Sequence, residues 1–267
     1  MRFAVSYSTP AYGTDPERLV AFARRAEECG FEGLYVPEHV ALYRGAGFGG
    51  YEMPPDLPYG DPLELLTFVA ASTERLLLGT AVVLLPYHHP VVLAKRLATV
   101  DVLSKGRMRL LTVGVGSLAG EARAVGVDFA SRGRRADEAI DVLRLLWSND
   151  RVSYSGEFFR LDDVSSFPHP LATLPIHIGG SSRAAARRAR DRGDGYFPGG
   201  ALTPAERAAQ WDLASSGRDN LEYTRWASID LTPAAVSSYE QQGVTRLVVT
   251  TPDLDELARF AERFRLG

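Results

Sequence analysis

The chain of 267 residues is 45% hydrophobic and 24% charged, which is typical of a soluble globular domain that buries a full core. Its net charge of −3 gives no indication of nucleic-acid binding, and no apolar run approaches the roughly 18 residues of a membrane span. The single Cys29 has no partner for a disulfide, and the first residues lack a signal-peptide pattern, so we expect a cytoplasmic protein.

Apolar runs and amphipathic segments alternate along the chain. Helix starts are marked by an Asp or Thr before a proline, at Asp15, Asp61, Thr203, Thr232 and Thr251. Strands are predicted at 2–7, 32–36, 76–82, 108–113, 175–178, 194–197, 224–230 and 245–250. Helices are predicted at 16–29, 62–73, 90–103, 131–148, 182–192, 204–215, 233–242 and 252–264. This alternation predicts an α/β fold of the (β/α)8 TIM-barrel type, with a doubly wound open sheet as the alternative.

Two segments interrupt the alternation within what we expect to be one barrel domain over residues 1–267. Residues 40–60 are rich in Gly, Pro and Tyr and follow the second strand, so they are expected at the face where barrels carry active sites. Residues 151–173, after the fourth strand and helix, indicate an inserted segment with a hairpin near Ser155 and Gly156. The seventh strand is the weakest, because Arg225 and Ser228 interrupt it.

The carboxyl ends of the strands carry the candidate site residues. His39 follows Glu38 at one end, where an imidazole can move a proton or can simply tie the loop to the barrel. Gly179 and Gly180, followed by Ser181 and Ser182, precede a helix and form either a phosphate cradle or an ordinary capped turn. The adjacent His88 and His89 lack a third ligand at useful spacing, so no metal site is expected.

Several motifs in a fixed order make this chain similar to the bacterial luciferase-like monooxygenase superfamily, in its branch that uses the deazaflavin coenzyme F420. The similarity runs from Met1 to about Pro198. The motifs are Gly30-Phe-Glu-Gly-Leu-Tyr-Val-Pro-Glu-His39, Gly79-Thr-Ala-Val82, His89-Pro-Val-Val-Leu-Ala-Lys95, Leu103-Ser-Lys-Gly-Arg107, Gly114-Val-Gly116, Arg132-Gly-x-Arg-x-Asp-Glu138, Leu146-Trp147, Ile178-Gly-Gly180 and Gly193-Asp-Gly195. FMN-dependent relatives share most of them.

The resemblance implies a barrel that forms a homodimer and holds a flavin-type ring over its C-terminal face. It implies a cis peptide near Ala81-Val82 and proton transfer by His39 together with Glu38. The residues implied in coenzyme binding are Thr80, Ala81, Val82, Val115, Gly116 and Ser117 for the ring, and Gly179, Gly180, Ser181 and Ser182 for the phosphate. The chain departs from the pattern at Ser117, where relatives carry Trp or Glu, and in its short stretch after Gly200; Glu121 is a possible substitute for the missing acid.

Three functions are consistent with the resemblance. The first is hydride transfer between F420 and a small organic substrate. The second is an FMN-dependent monooxygenase that receives reduced FMN from a separate reductase, and the third is a flavin-binding protein without catalytic activity. The aromatic residues of the 40–60 segment suggest an apolar or planar substrate, although a packed lid would look the same; they are Tyr43, Phe48, Tyr51 and Tyr59.

Overall fold

A computed structural model of the chain describes residues 1–48 and 50–267; the side chain of Phe48, expected among the aromatic residues of the 40–60 segment, lies outside this description. The strands are β1 Arg2–Ser6, β2 Gly33–Val36, β3 Gly47–Phe48, β4 Tyr51–Glu52, β5 Leu77–Thr80, β6 Val83–Leu84, β7 Leu111–Gly114, β8 Val152–Ser155, β9 Arg160–Val164, β10 Ile176–Gly179, β11 Gly195–Phe197, β12 Glu222–Ser228 and β13 Arg246–Thr250. The helices are α1 Thr9–Tyr12, α2 Pro16–Glu28, α3 Pro62–Ser72, α4 Pro90–Leu103, α5 Ala119–Ala124, α6 Arg132–Ser148, α7 Arg183–Arg192, α8 Pro204–Ser215, α9 Pro233–Gln241 and α10 Leu254–Phe264.

A parallel sheet in the order β5-β2-β1-β13-β12-β11-β10-β7-β6 forms the centre of the fold. Its two ends are β5 and β6, which follow each other along the chain and share one strand position; the strand predicted at 76–82 covers β5, and β6 lies just beyond it. Because β5 pairs with β2 while β6 pairs with β7, the sheet curls into a ring of eight strand positions. A further bridge between Gly79 and Leu110 links β5 to the start of β7. The predicted TIM barrel is therefore confirmed, and the open sheet is excluded.

The barrel encloses one group of buried side chains and packs a second group against the helices. Inside lie Ala4, Tyr35, Leu110, Phe197 and Val248. At the N-terminal end of the barrel, Arg246 is 1% exposed and donates to Glu32 Oε2 at 2.6 Å and to Glu222 Oε2 at 2.7 Å. This charged plug fills the bottom of the barrel, so the ligand-accessible space lies at the opposite, C-terminal face.

Most of the predicted helix starts are confirmed. The side chains of four predicted caps accept hydrogen bonds from first-turn amides, namely Asp15, Asp61, Thr203 and Thr232. The fifth prediction is wrong, because α10 begins at Leu254 and its N-cap is Asp253 rather than Thr251. The short helices α1 and α5 were not predicted, since a run of four to six residues shows too little periodicity to be recognised.

Two antiparallel hairpins lie outside the barrel. The pair β8–β9 occupies the 151–173 segment, where the period-two pattern predicted a hairpin. The pair β3–β4 lies in the 40–60 segment that follows β2. Across residues 1–48 and 50–267, none of the helices combines the length and apolar character that a membrane crossing requires.

Candidate active site

A cavity of about 440 Å³ opens at the C-terminal face of the barrel. The lining residues come from the ends of four strand positions and from the loops that follow them. They are Pro37, Glu38, His39, Tyr59, Ala81, Val82, Leu84, Gly114, Val115, Gly116, Ser117, Arg132, Gly179, Gly180, Ser181, Ser182 and Ala185. The sequence-predicted site residues therefore come together in one place, with Thr80 as the exception.

Thr80 is completely buried and does not line the cavity. Its hydroxyl donates to the Thr112 carbonyl at 2.7 Å and accepts from the Thr112 amide at 3.0 Å. The side chain thus links β5 to β7 across the barrel wall. Its expected contact with the coenzyme ring is not supported by this placement, because a strand-end residue that points into the barrel wall cannot face the mouth.

His39 is paired with a carboxylate that lies 82 residues further along the chain. Its Nδ1 lies 3.2 Å from Glu121 Oε2 and 3.3 Å from Oε1, and Glu121 is fully buried in the short helix α5. Glu121 Oε1 also accepts from the Val40 amide at 2.7 Å. Since a carboxylate only accepts, Nδ1 carries the proton of the neutral ring. This arrangement leaves Nε2 as the nitrogen available for exchange with a ligand.

Glu38 does not partner His39, contrary to the pairing that the resemblance implied. Its Oε2 accepts from the Leu84 amide at 2.5 Å, and its Oε1 lies 2.9 Å from His88 Nε2. Consecutive side chains on an extended backbone point in opposite directions, which directs Glu38 and His39 to different neighbours. Glu38 therefore anchors β6 and the turn before α4, while Glu121 orients the imidazole.

The 40–60 segment packs over this end of the cavity. Tyr59 meets the His39 ring edge to face, with the ring centres 4.8 Å apart, and burial raises the pKa of the Tyr59 phenol. The Tyr43 hydroxyl accepts from the Gly120 amide at 3.2 Å, which ties the segment to α5. The imidazole and the Glu121 carboxylate are thereby partly shielded from water, which strengthens their interaction.

The floor of the cavity contains the cis peptide between Ala81 and Val82, as the resemblance implied. The Val82 side chain inserts between two strand-end glycines. A Cβ on Gly114 would lie 2.6 Å from Val82 Cγ2, and a Cβ on Gly179 would lie 2.5 Å from Val82 Cγ1. A Cβ on either glycine would overlap Val82, so both glycines make room for this side chain.

The turn after β10 provides an anion-binding geometry at the other end of the cavity. Gly180 has φ +112°, a conformation that favours glycine, and Ser182 caps α7 by accepting from the Ala185 amide at 3.1 Å. Within the described part of the chain, the amides of Arg183 and Ala184 have no protein acceptor. Free amides and the helix dipole at this position suit a phosphate.

Arg132 also lines the cavity. It was not among the predicted site residues. Its Nε donates to the Gly116 carbonyl at 3.1 Å, and its guanidinium lies 3.5 Å from the centre of the Phe129 ring. Burial lowers its pKa, and the neighbouring Tyr87 opposes this effect. Arg132 therefore fixes the turn after β7 and adds positive potential near the anion-binding end.

A second cavity of about 370 Å³ adjoins the first. The two share Ala81, Val82, Ser117, Gly180 and Ser181. Beyond these residues, the second cavity is lined by Phe197, Gly199, Gly200 and Trp226, and the rings of Phe197 and Trp226 lie 4.9 Å apart. The site therefore combines a polar end with an imidazole, an anion-binding turn and an aromatic compartment.

Comparison with known proteins agrees with this architecture. The family model described as luciferase-like monooxygenase matches residues 1–237. The chain belongs to this luciferase-like family.

Two solved structures share the luciferase-like fold. A monooxygenase, RslO1, from Streptomyces bottropensis aligns with a TM-score of 0.80 at 20% identity and covers 99% of this chain and 97% of that one. An F420-dependent secondary alcohol dehydrogenase, in complex with an F420-acetone adduct, aligns with a TM-score of 0.75 at 16% identity and covers 98% of this chain and 97% of that one. At these identities the likeness concerns the fold.

A curated relative is the F420-dependent glucose-6-phosphate dehydrogenase of Microbacterium testaceum. The two are 30% identical over 255 residues, which cover 94% of this chain and 66% of the relative. The chain thus spans just under two thirds of the length of this luciferase-like relative. The family match and the similarity to an F420-dependent dehydrogenase both agree with the resemblance seen in the motifs.

The structure adds Glu121 as the partner of His39, a role that the motifs left open. Its only signal in the sequence was a carboxylate one turn after the unusual Ser117. Ser117 itself is exposed and lines both cavities.

Proposed function

We propose that this chain is an F420-dependent oxidoreductase that transfers a hydride between the coenzyme and a small, uncharged organic substrate. The observation that carries the proposal is the His39–Glu121 pair at the rim of a cavity whose other end is an anion-binding turn. The similarity to an F420-dependent dehydrogenase supports F420 over FMN as the coenzyme.

The residues present fit F420. Its phosphate would be held by the Gly180–Ser182 turn and the first amides of α7. Its ring would lie against Ala81, Val82 and Val115, which offer small apolar side chains and the planar peptide groups between them. When bound, F420 gives or accepts a hydride at C5 and reacts poorly with oxygen.

His39 would exchange the proton that accompanies the hydride. In alcohol oxidation, the substrate C–H bond supplies the hydride and Nε2 accepts the hydroxyl proton; in carbonyl reduction, Nε2 returns it to the oxygen. Glu121 holds the Nδ1 proton, so the same ring nitrogen faces the substrate in every turnover. Glu38 is assigned a positioning role through Leu84 and His88.

The aromatic compartment favours an uncharged substrate. In the described part of the chain, no Lys or Arg lines the second cavity, and Arg132 in the first is already bonded to the Gly116 carbonyl. A sugar phosphate would require cationic partners for its dianion. We therefore propose a neutral alcohol or carbonyl compound that packs on Phe197 and Trp226, and not glucose 6-phosphate.

Titration of the purified protein with F420 and with reduced FMN tests the coenzyme, and a panel of neutral secondary alcohols alongside glucose 6-phosphate tests the substrate. The expected result is binding of F420, with its reduction by a neutral alcohol. Binding of reduced FMN together with oxygen consumption would instead support the monooxygenase. Tight coenzyme binding without turnover across the panel would support a flavin-binding protein.

A homodimer is part of the proposal, because the family resemblance implies one. Light scattering coupled to gel filtration tests it directly, and a mass near the 29.1 kDa of one chain would contradict it.

A further inference from the structure

Arg225 is a buried cation on the outer face of the barrel wall. It interrupts the apolar pattern of β12, yet only 9% of it is exposed. Its neighbours Thr224 and Trp226 face the barrel interior, where Thr224 accepts from Arg246 and Trp226 packs on Phe197. Because side chains alternate along a strand, Arg225 points outward between α8 and α9.

The guanidinium of Arg225 has weak partners. Its Nη1 lies 3.5 Å from the Tyr223 hydroxyl and 3.4 Å from Gln242 Oε1, and its carbon lies 5.2 Å from the centre of the Tyr239 ring. Over residues 1–48 and 50–267, no carboxylate oxygen lies within 4.0 Å of it. Buried cations in proteins are normally paired with an anion, yet the described part of the chain gives no acceptor to the Nε or Nη2 of Arg225.

A second guanidinium lines the same groove. Arg207, in the first turn of α8, is half-buried; its Nη2 donates to the Leu202 carbonyl at 3.1 Å, and the described chain places no carboxylate within ion-pair distance. Burial lowers the pKa of Arg207, and the charge of Arg225 lowers it further. Two like charges in a partly desolvated groove repel each other, and an anion bound between them would offset this repulsion.

The groove is large enough for a small ligand. Arg207 and Arg225 line a cavity of about 420 Å³ together with Leu202, Pro204, Ala235, Ser238, Tyr239 and Gln242. It continues past Arg207 into a cavity of about 560 Å³ beside the stacked rings of Trp211 and Tyr223, whose centres are 4.1 Å apart. Asp212 lines only the 560 Å³ cavity, about 7.5 Å further along α8 than Arg207 at 1.5 Å per residue.

We propose that the groove between α8 and α9 binds a small oxyanion ligand, a carboxylate or a phosphate ester, between Arg207 and Arg225. The planar fork of a guanidinium matches both groups in a bidentate manner. The aromatic wall formed by Trp211 and Tyr223 accommodates an apolar portion of the same ligand. This site lies outside the barrel and is independent of the proposed coenzyme and substrate cavities.

Calorimetric titration at low ionic strength with inorganic phosphate, and separately with succinate, tests the site and distinguishes the two anion classes. Phosphate is expected to give two binding events, one at the α7 turn and one in the groove, with a change in Trp211 fluorescence for the second. Arg225→Gln and Arg207→Gln should each weaken the groove event at least about tenfold, while the α7 event is unchanged.

Arg187→Gln is the matched control, because it removes the same charge from an exposed position on α7. It should leave the groove event intact. If Arg225→Gln lowers the melting temperature, two other variants decide the question. Arg207→Gln changes a half-exposed residue, and Arg225→Lys keeps the positive charge at the buried position. Groove binding that is absent from the wild type, or equal in all the variants, would overturn the proposal.

Discussion

Replacement of Glu121 by glutamine tests the proposed proton path with the smallest change of shape. The side-chain carbonyl of the introduced glutamine would still accept the Val40 amide, whose nitrogen lies 2.7 Å from Glu121 Oε1. The introduced amide nitrogen would take the place of Oε2, which lies 3.2 Å from His39 Nδ1 and is slightly nearer than Oε1 at 3.3 Å, and it would donate to Nδ1. The proton would then move to Nε2, which could no longer accept one from the substrate. A wrong tautomer of this kind costs about 10²–10⁴ in rate, or about 3–5 kcal/mol in activation free energy.

The assay is the steady-state rate of coenzyme reduction, with coenzyme affinity measured in parallel. We expect kcat to fall and the coenzyme Kd to stay within about twofold, because Glu121 lies at the imidazole end and not at the α7 turn. The free energy of unfolding should fall by only about 1–3 kcal/mol, the cost of weakening buried hydrogen bonds.

Glu138→Gln is the matched control. Its Oε1 accepts the Glu157 amide at 2.7 Å and its Oε2 the Phe158 amide at 3.0 Å, so the substitution removes a similar amide-bound carboxylate away from the site. A Glu121→Gln variant that turns over as fast as Glu138→Gln would refute the tautomer argument.

Three other changes probe neighbouring contacts. His39→Ala should lower turnover by about 10²–10⁴-fold with little change in coenzyme affinity, and an unchanged rate would remove His39 from the mechanism. Ser182→Ala removes the cap that accepts a hydrogen bond from the Ala185 amide at 3.1 Å, so the free energy of unfolding should fall by about 1 kcal/mol. The same change should weaken coenzyme binding more than it lowers kcat. Burial lowers the pKa of His177 to about 4, so the fold holds it neutral. The free energy that neutral His177 contributes to stability is present above the unfolded pKa of about 6.5 and is lost as the pH falls towards 4. Urea unfolding at a series of pH values should show this loss of stability, and His177→Gln should make the free energy of unfolding less dependent on pH.

The barrel was predictable because its information is local. An Asp or Thr before a proline marks four of the helix starts, and the side chains of Asp15 and Asp61 cap their helices as expected. The break in the third strand was not visible in the sequence, since the run from Leu76 to Val82 is apolar apart from Thr80 and contains no turn signal at the break. Only the resemblance, and not the pattern of residues, indicated the cis peptide at Ala81 and Val82.

The site was predictable in its location but not in its pairings. Strand-end residues identified the cavity, because parallel strands bring their carboxyl ends to one face. The partner of His39 could not be read locally, since Glu121 reaches it across 82 residues of chain. The need for glycine at positions 114 and 179 could not be read locally either, because it depends on the Val82 side chain, which lies elsewhere in the chain. Such contacts depend on tertiary packing and leave no periodic signal in the sequence.

The central claim is hydride transfer to F420 with His39 as the proton acceptor, and isotope transfer tests it most directly. A neutral secondary alcohol deuterated at its carbinol carbon is mixed with protein and oxidised F420 in a single turnover, and the coenzyme is examined by mass spectrometry. We expect one deuterium in the reduced coenzyme with the wild type, and a rate about 10²–10⁴-fold lower with His39→Gln at equal coenzyme occupancy. Equal labelling rates in the two proteins, or a reduced coenzyme without label, would contradict it.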